Sequence, residues 1–107
     1  MGRMVIAGYR PRPGMEAALE ALVSRHWGVL RGEALVSSRP PCAMRAADGT
    51  VVEVFEWLCA ESIERAHRSP AVQALWSEFA AACEHVPVAA LAECGRPFAE
   101  FEAIGAG

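Results

Sequence analysis

The chain has 107 residues, enough for one domain with one core, and residues 1–107 are read as a single domain whose ordered part spans about 4–104. Hydrophobic residues make up 53% and charged ones 21%, more apolar content than one small core needs, so a buried interface is expected. At a net charge of -3, with Arg10, Arg12, Arg25, Arg31, Arg39 and Arg45 dispersed among acids, there is no basic stripe to neutralise phosphates, and nucleic acid is set aside as a partner.

Met1-Gly2-Arg3-Met4 leads straight into a strand-like run without the charged and apolar regions of a signal peptide. Ile6 stands where the myristoylation pattern needs Ser or Thr, and no apolar run approaches a membrane span. A cytoplasmic protein without a membrane partner is the default expectation. Cys42, Cys59, Cys83 and Cys94 are spaced by 17, 24 and 11 positions, with no C-x-x-C pair and no H-x-x-x-H partner. They read as structural thiols, and neither a metal site nor a cofactor is implied.

Met4 to Arg10 is predicted as a first strand, closed by Pro11-Arg12-Pro13-Gly14. From Met15 to Arg31, the residues Met15, Leu19, Leu22, Val23, His26 and Leu30 recur at helical spacing, and Gly32 is the expected stop. Cys42–Arg45 and Val51–Leu58 flank Ala47-Asp48-Gly49, a hairpin signal that predicts an antiparallel pair. In the second of these strands Val51, Glu53, Phe55 and Trp57 point one way and Val52, Val54, Glu56 and Leu58 the other. A strand apolar on both faces belongs between two hydrophobic layers.

A short helix is predicted from about Ala60 to Arg68, and Ser69-Pro70 restarts it with a bend, Ser as N-cap and Pro at the first helical position. The next helix is expected to run to about Glu84, with Val72, Leu75, Trp76, Phe79 and Cys83 on its core face. Val88–Cys94 is left open between a short helix and irregular chain, and Phe98–Ile104 reads as the last strand. The order strand, helix, strand, strand, helix, strand predicts an α+β, ferredoxin-like split βαβ protomer (βαββαβ) with a four-stranded antiparallel sheet. Its helix-free face is apolar, so two sheets are expected to pack as a homodimer.

Phe55-Glu56-Trp57, Ala60-Glu61-Ser62-Ile63 and Ala66-His67-Arg68-Ser69-Pro70, placed after a hairpin and before an amphipathic helix, resemble the antibiotic biosynthesis monooxygenase-like family of the dimeric α/β barrel superfamily. The resemblance covers Met4 to Phe79, and the rest of the chain by element order. It implies a dimeric α/β barrel with a cavity between sheet and helices. The activities it implies range from oxidation of quinols or aromatic polyketides without metal or flavin to haem degradation. The haem-degrading branch carries a first-strand Asn and a helical Trp and His ten residues apart. Aligning the strand-end tryptophan puts Ala66 and Trp76 at those helical positions, and the first strand, Ile6-Ala7-Gly8-Tyr9, has no Asn, so haem degradation is not indicated.

His67 is the candidate catalytic residue, a base for a phenol or quinol proton; the alternative is a histidine that complements the helix C-terminus. Tyr9, Glu53, Phe55 and Trp57 are the candidate substrate-binding residues. Glu53, held among aromatics, is expected to have a raised pKa or an arginine partner such as Arg45, and the alternative is a carboxylate that sets dimer registry. His26 reads as a satisfied core histidine. No Ser-His-Asp order, G-x-S-x-G or phosphate loop is present. The function expected is binding of a small apolar or aromatic molecule by a homodimer, with cofactor-independent monooxygenation as its chemistry; the alternative is a non-catalytic ligand-binding or assembly domain.

Overall fold

The structure is a computed structural model and describes residues 1–105. Strand β1 (Arg3–Pro11) is followed by helix α1 (Glu16–Gly32), the hairpin β2 (Cys42–Arg45) and β3 (Val51–Trp57), helices α2 (Ala60–Arg68) and α3 (Pro70–Ala82), and strands β4 (Cys83–Val86) and β5 (Glu102–Ala103). The strands form one antiparallel sheet in the order β4-β1-β3-β2-β5. This α+β arrangement is compatible with a ferredoxin-like fold.

Local chemistry accounts for most of the boundaries. Asp48 Oδ1 accepts from the Thr50 backbone N–H at 2.9 Å, and Gly49 takes a φ of +92°, so Asp-Gly turns the β2–β3 hairpin. Between α2 and α3, Ser69 Oγ accepts from the Val72 N–H at 3.3 Å and Pro70 occupies the first turn, as the sequence predicts. At the end of α1 the left-handed residue is Ala34, with a φ of +57°, rather than Gly32.

The sheet departs from the sequence expectation at its C-terminal end. It has five strands, not four, and β4 comes directly after α3, where a continuing helix was expected. The α3 chain turns extended at Cys83 (φ −152°, ψ 170°), and the Ala82 carbonyl accepts from the Arg12 N–H at 2.9 Å. From there β4 adds to β1, pairing Gly8 with Val86 and Pro11 with Cys83. Only Glu102–Ala103 of the expected last strand is extended, and it pairs with β2 at the opposite edge.

Side chains alternate along β3 as predicted. Val51, Glu53, Phe55 and Trp57 are buried toward the helices, against Leu19, Leu22, Leu30, Val72 and Phe79. Each such apolar side chain contributes about 1.5–3 kcal/mol on burial. On the outer face Val52 packs with Ala46 and Leu91 beneath Met44, Val88 and Phe101, so the segment after β4 covers one end of it. At the other end Met4 and Ile6 stay 52% and 56% exposed. Among the described residues no helix is long and apolar enough to cross a membrane.

Candidate functional site

Between the sheet and the helices lies a cavity of about 320 Å³ with an overwhelmingly apolar lining, within the usual range of ligand sites. β1 supplies Val5, Ala7 and Tyr9, and β3 supplies Phe55 and Trp57. The helices contribute His26, His67, Trp76 and Phe79, and β4 adds His85. The sequence has three histidines and one tyrosine, and all four line this space.

A buried chain of hydrogen bonds runs behind the wall. Tyr9 Oη donates to Glu53 Oε1 at 2.8 Å, and His26 Nδ1 lies 2.8 Å from the same oxygen. The Trp76 indole Nε1–H donates to His26 Nε2 at 3.0 Å. An indole N–H is a donor only, so His26 Nε2 is the acceptor, and by this pairing the ring proton sits on Nδ1 and is donated to Glu53. Glu53 is 1% and His26 4% exposed, and polar groups this deeply buried are stable only when paired. Burial, then the charge of Glu53 and its hydrogen bond, push the Tyr9 hydroxyl well above its ordinary value of 10.0.

Of the residues singled out from sequence, Tyr9, Phe55, Trp57 and His67 lie on the cavity wall. His67 is exposed at its edge, its ring edge-on to Trp76 with centroids 5.1 Å apart. Glu53 is not on that wall; it is hydrogen-bonded to Tyr9 and His26, which are, and itself lines a second cavity with Glu20, Ser24 and Ala43. Nor is Arg45 its partner, because that guanidinium is bound by Glu20 and Glu102. Glu56, on the outer face, is held below the usual carboxylate range by the Ser37 hydroxyl and by Arg39.

Three wall residues with polar groups lie outside the site read from sequence: His26, which reads there as a satisfied core histidine, His85 and Trp76. His85 has no sequence signal, because the helix expected to run to about Glu84 covers the start of β4 and leaves His85 in no element. Trp76 was read as core packing, although it is half-buried and reaches His26; the only available signal was that a tryptophan N–H in an apolar stripe needs a partner. Cys83 is buried, as its apolar spacing suggests, but at the start of β4; its Sγ donates to the Phe79 carbonyl and burial pushes the thiol up. Among the described residues no group of three or more His, Cys, Asp and Glu could hold a metal ion.

The solved structure of Rv0793 from Mycobacterium tuberculosis matches this fold with a TM-score of 0.65, covering 80% of this chain and 89% of that one at 21% identity. A likeness at that identity bears on the fold alone. No protein-family model matches the chain. No curated protein matches it either.

Proposed function

We propose that this chain binds a small aromatic, quinol-like molecule in the cavity between its sheet and helices and oxidises it with dioxygen, without a cofactor, as a homodimer. One observation carries the reading: every histidine and the single tyrosine of the sequence converge on one apolar cavity of ligand size. The sequence resemblance to the antibiotic biosynthesis monooxygenase-like family supports the reaction class, and the ferredoxin-like fold is compatible with it.

In the proposed reaction His67, a solvent-connected imidazole at the cavity edge, takes the proton of a ring hydroxyl. The electron-rich anion passes one electron to dioxygen, and the radical pair closes to a ring-carbon peroxide. Breakage of the O–O bond leaves one oxygen atom on the ring as a quinone carbonyl. The other leaves as water, carrying the hydroxyl proton and the displaced ring hydrogen. Phe55 and Trp57 keep bulk water from the intermediate and give the flat ring an aromatic wall. Tyr9 and Glu53, tied together, fix the floor on which the substrate is oriented.

Two protomers pack through the outer sheet face, where Met4 and Ile6 lie exposed beside Val54. A second reading has a specific observation in its favour. The Tyr9 hydroxyl and both His26 nitrogens are already bonded within the protein, as expected of a passive binding pocket.

Oxygen uptake by metal-free, flavin-free protein with hydroquinones and naphthols separates the two. The proposal expects uptake above background that falls about tenfold or more in His67→Ala, within the range for loss of a general base. Absence of uptake with every compound leaves the binding reading standing and ends the enzymatic one.

A further inference from the structure

Trp76 stands between two histidines. Its ring meets that of His26 at a centroid distance of 6.4 Å and that of His67 at 5.1 Å, both edge to face. Its single donor is spent on His26 Nε2, and it is only half-buried on the cavity wall. A flat aromatic ring with one N–H aimed at an imidazole acceptor has the recognition chemistry of an aromatic ring carrying a hydroxyl.

We propose that His26 is a second ligand-reading residue of this cavity, whose Nε2 accepts a hydrogen bond from a ring hydroxyl of the bound molecule in place of the bond given by the Trp76 indole. This inference rests on the reading of the cavity as a ligand site and names the substrate class more narrowly: the hydroxyl read by His26 is distinct from the one whose proton His67 takes, so the substrate is an aromatic with two ring hydroxyls, of which a mononaphthol probes the first. An aryl ether or arene cannot supply the bond, and an aryl carboxylate sets an acceptor against an acceptor.

The ring of His26 is prepared for this role. Glu53 Oε1 holds Nδ1–H at 2.8 Å, and the same oxygen is fixed by Tyr9, so the imidazole can neither flip nor change tautomer without breaking a buried bond. Phe55 and Phe79 pack on it with centroids 5.5 Å and 5.1 Å away, which holds Nε2 in one direction. A leucine at this place in the α1 stripe would bury apolar surface with no polar group to satisfy. Trp76, by contrast, is anchored to the chain's polar network by this single hydrogen bond and sits where α3 meets the open cavity. A ligand hydroxyl replaces the indole N–H one bond for one, so the exchange leaves no buried acceptor empty.

The test uses 2-naphthol and its methyl ether as calorimetric probes of the intact chain, with nitrogen-15 spectra of the histidine and tryptophan rings. The wild type is expected to bind the naphthol only severalfold tighter than the ether, because the bond to His26 Nε2 displaces the one from Trp76; the full scale of one hydrogen bond to a buried acceptor, about tenfold, is expected in Trp76→Phe. Trp76→Phe, which removes the competing donor, widens that ratio, and His26→Phe reduces it to about one. The naphthol shifts the Trp76 indole resonance while His26 keeps its proton on Nδ1. Equal affinities for the two probes in wild type and Trp76→Phe, with the indole resonance unmoved, overturn the inference and leave the cavity a ligand site. Failure of both probes to bind overturns the cavity reading and this inference together. The Trp76→Phe and spectroscopic arms decide the matter even if His26→Phe does not fold.

Discussion

Tyr9 is the one tyrosine of the sequence, so the phenolate absorbance band reports its ionisation alone. Its pKa is raised, so the folded state holds the phenolic proton more tightly than the unfolded chain. The stabilisation is fully present below the ordinary value of 10.0 and is lost as the pH climbs above it, by up to about 1.4 kcal/mol per pH unit. Absorbance at the phenolate band should stay flat past the normal tyrosine range and rise only with unfolding, and denaturant midpoints should drop over the same interval. Tyr9→Phe removes one of the two donors to Glu53 Oε1 and should cost about 1–2 kcal/mol by chemical denaturation. That Glu53 would be a buried carboxylate was legible from its apolar flanks on β3. Its partners were not, because Tyr9 and His26 lie 44 and 27 residues away along the chain, and only the β1–β3 register and the seating of α1 bring them together.

Elements with local signals were read correctly, and those defined by long-range pairing were not. Ser69-Pro70 announces a helix start by itself, and Ser69→Ala should cost about 1 kcal/mol, since the hydroxyl caps Val72 and also bonds Glu33. Cys83 follows Phe79 by four residues, so the helical stripe reads straight through the real end of α3 and conceals β4. Four extended residues become a strand because the edge of β1 offers them partners. At that junction Gly8 has a role that composition could not disclose: a Cβ there would stand 2.5 Å from the Val86 backbone oxygen. Gly8→Ala should therefore destabilise by about 1–3 kcal/mol and loosen β4, seen as faster amide exchange at Glu84 and Val86.

At the scale of the molecule, the apolar surplus of the composition has two destinations. Part is absorbed by the chain itself, where Leu91, Val88 and Phe101 fold over Val52. The remainder is surface: Met4 and Ile6 on the outer sheet face, and Phe98, 86% exposed on the arm that crosses it. The proposed dimer predicts a solution mass of two protomers at micromolar concentration and its reduction to one by Ile6→Asp, whereas a monomeric wild type would contradict it. Of the cavity, Tyr9, Phe55, Trp57 and His67 were legible in the sequence; that His26 and His85 converge on the same space required the relative placement of α1 and β4. The central claim, that this cavity takes an aromatic ligand, is tested most directly by quenching of the intrinsic tryptophan fluorescence with 2-naphthol, because Trp57 and Trp76 line it. The account predicts saturable quenching that disappears in Ala7→Leu, which adds apolar bulk to the cavity from β1 and replaces no polar side chain. Quenching that never saturates, or that is unchanged in the filled variant, would contradict it.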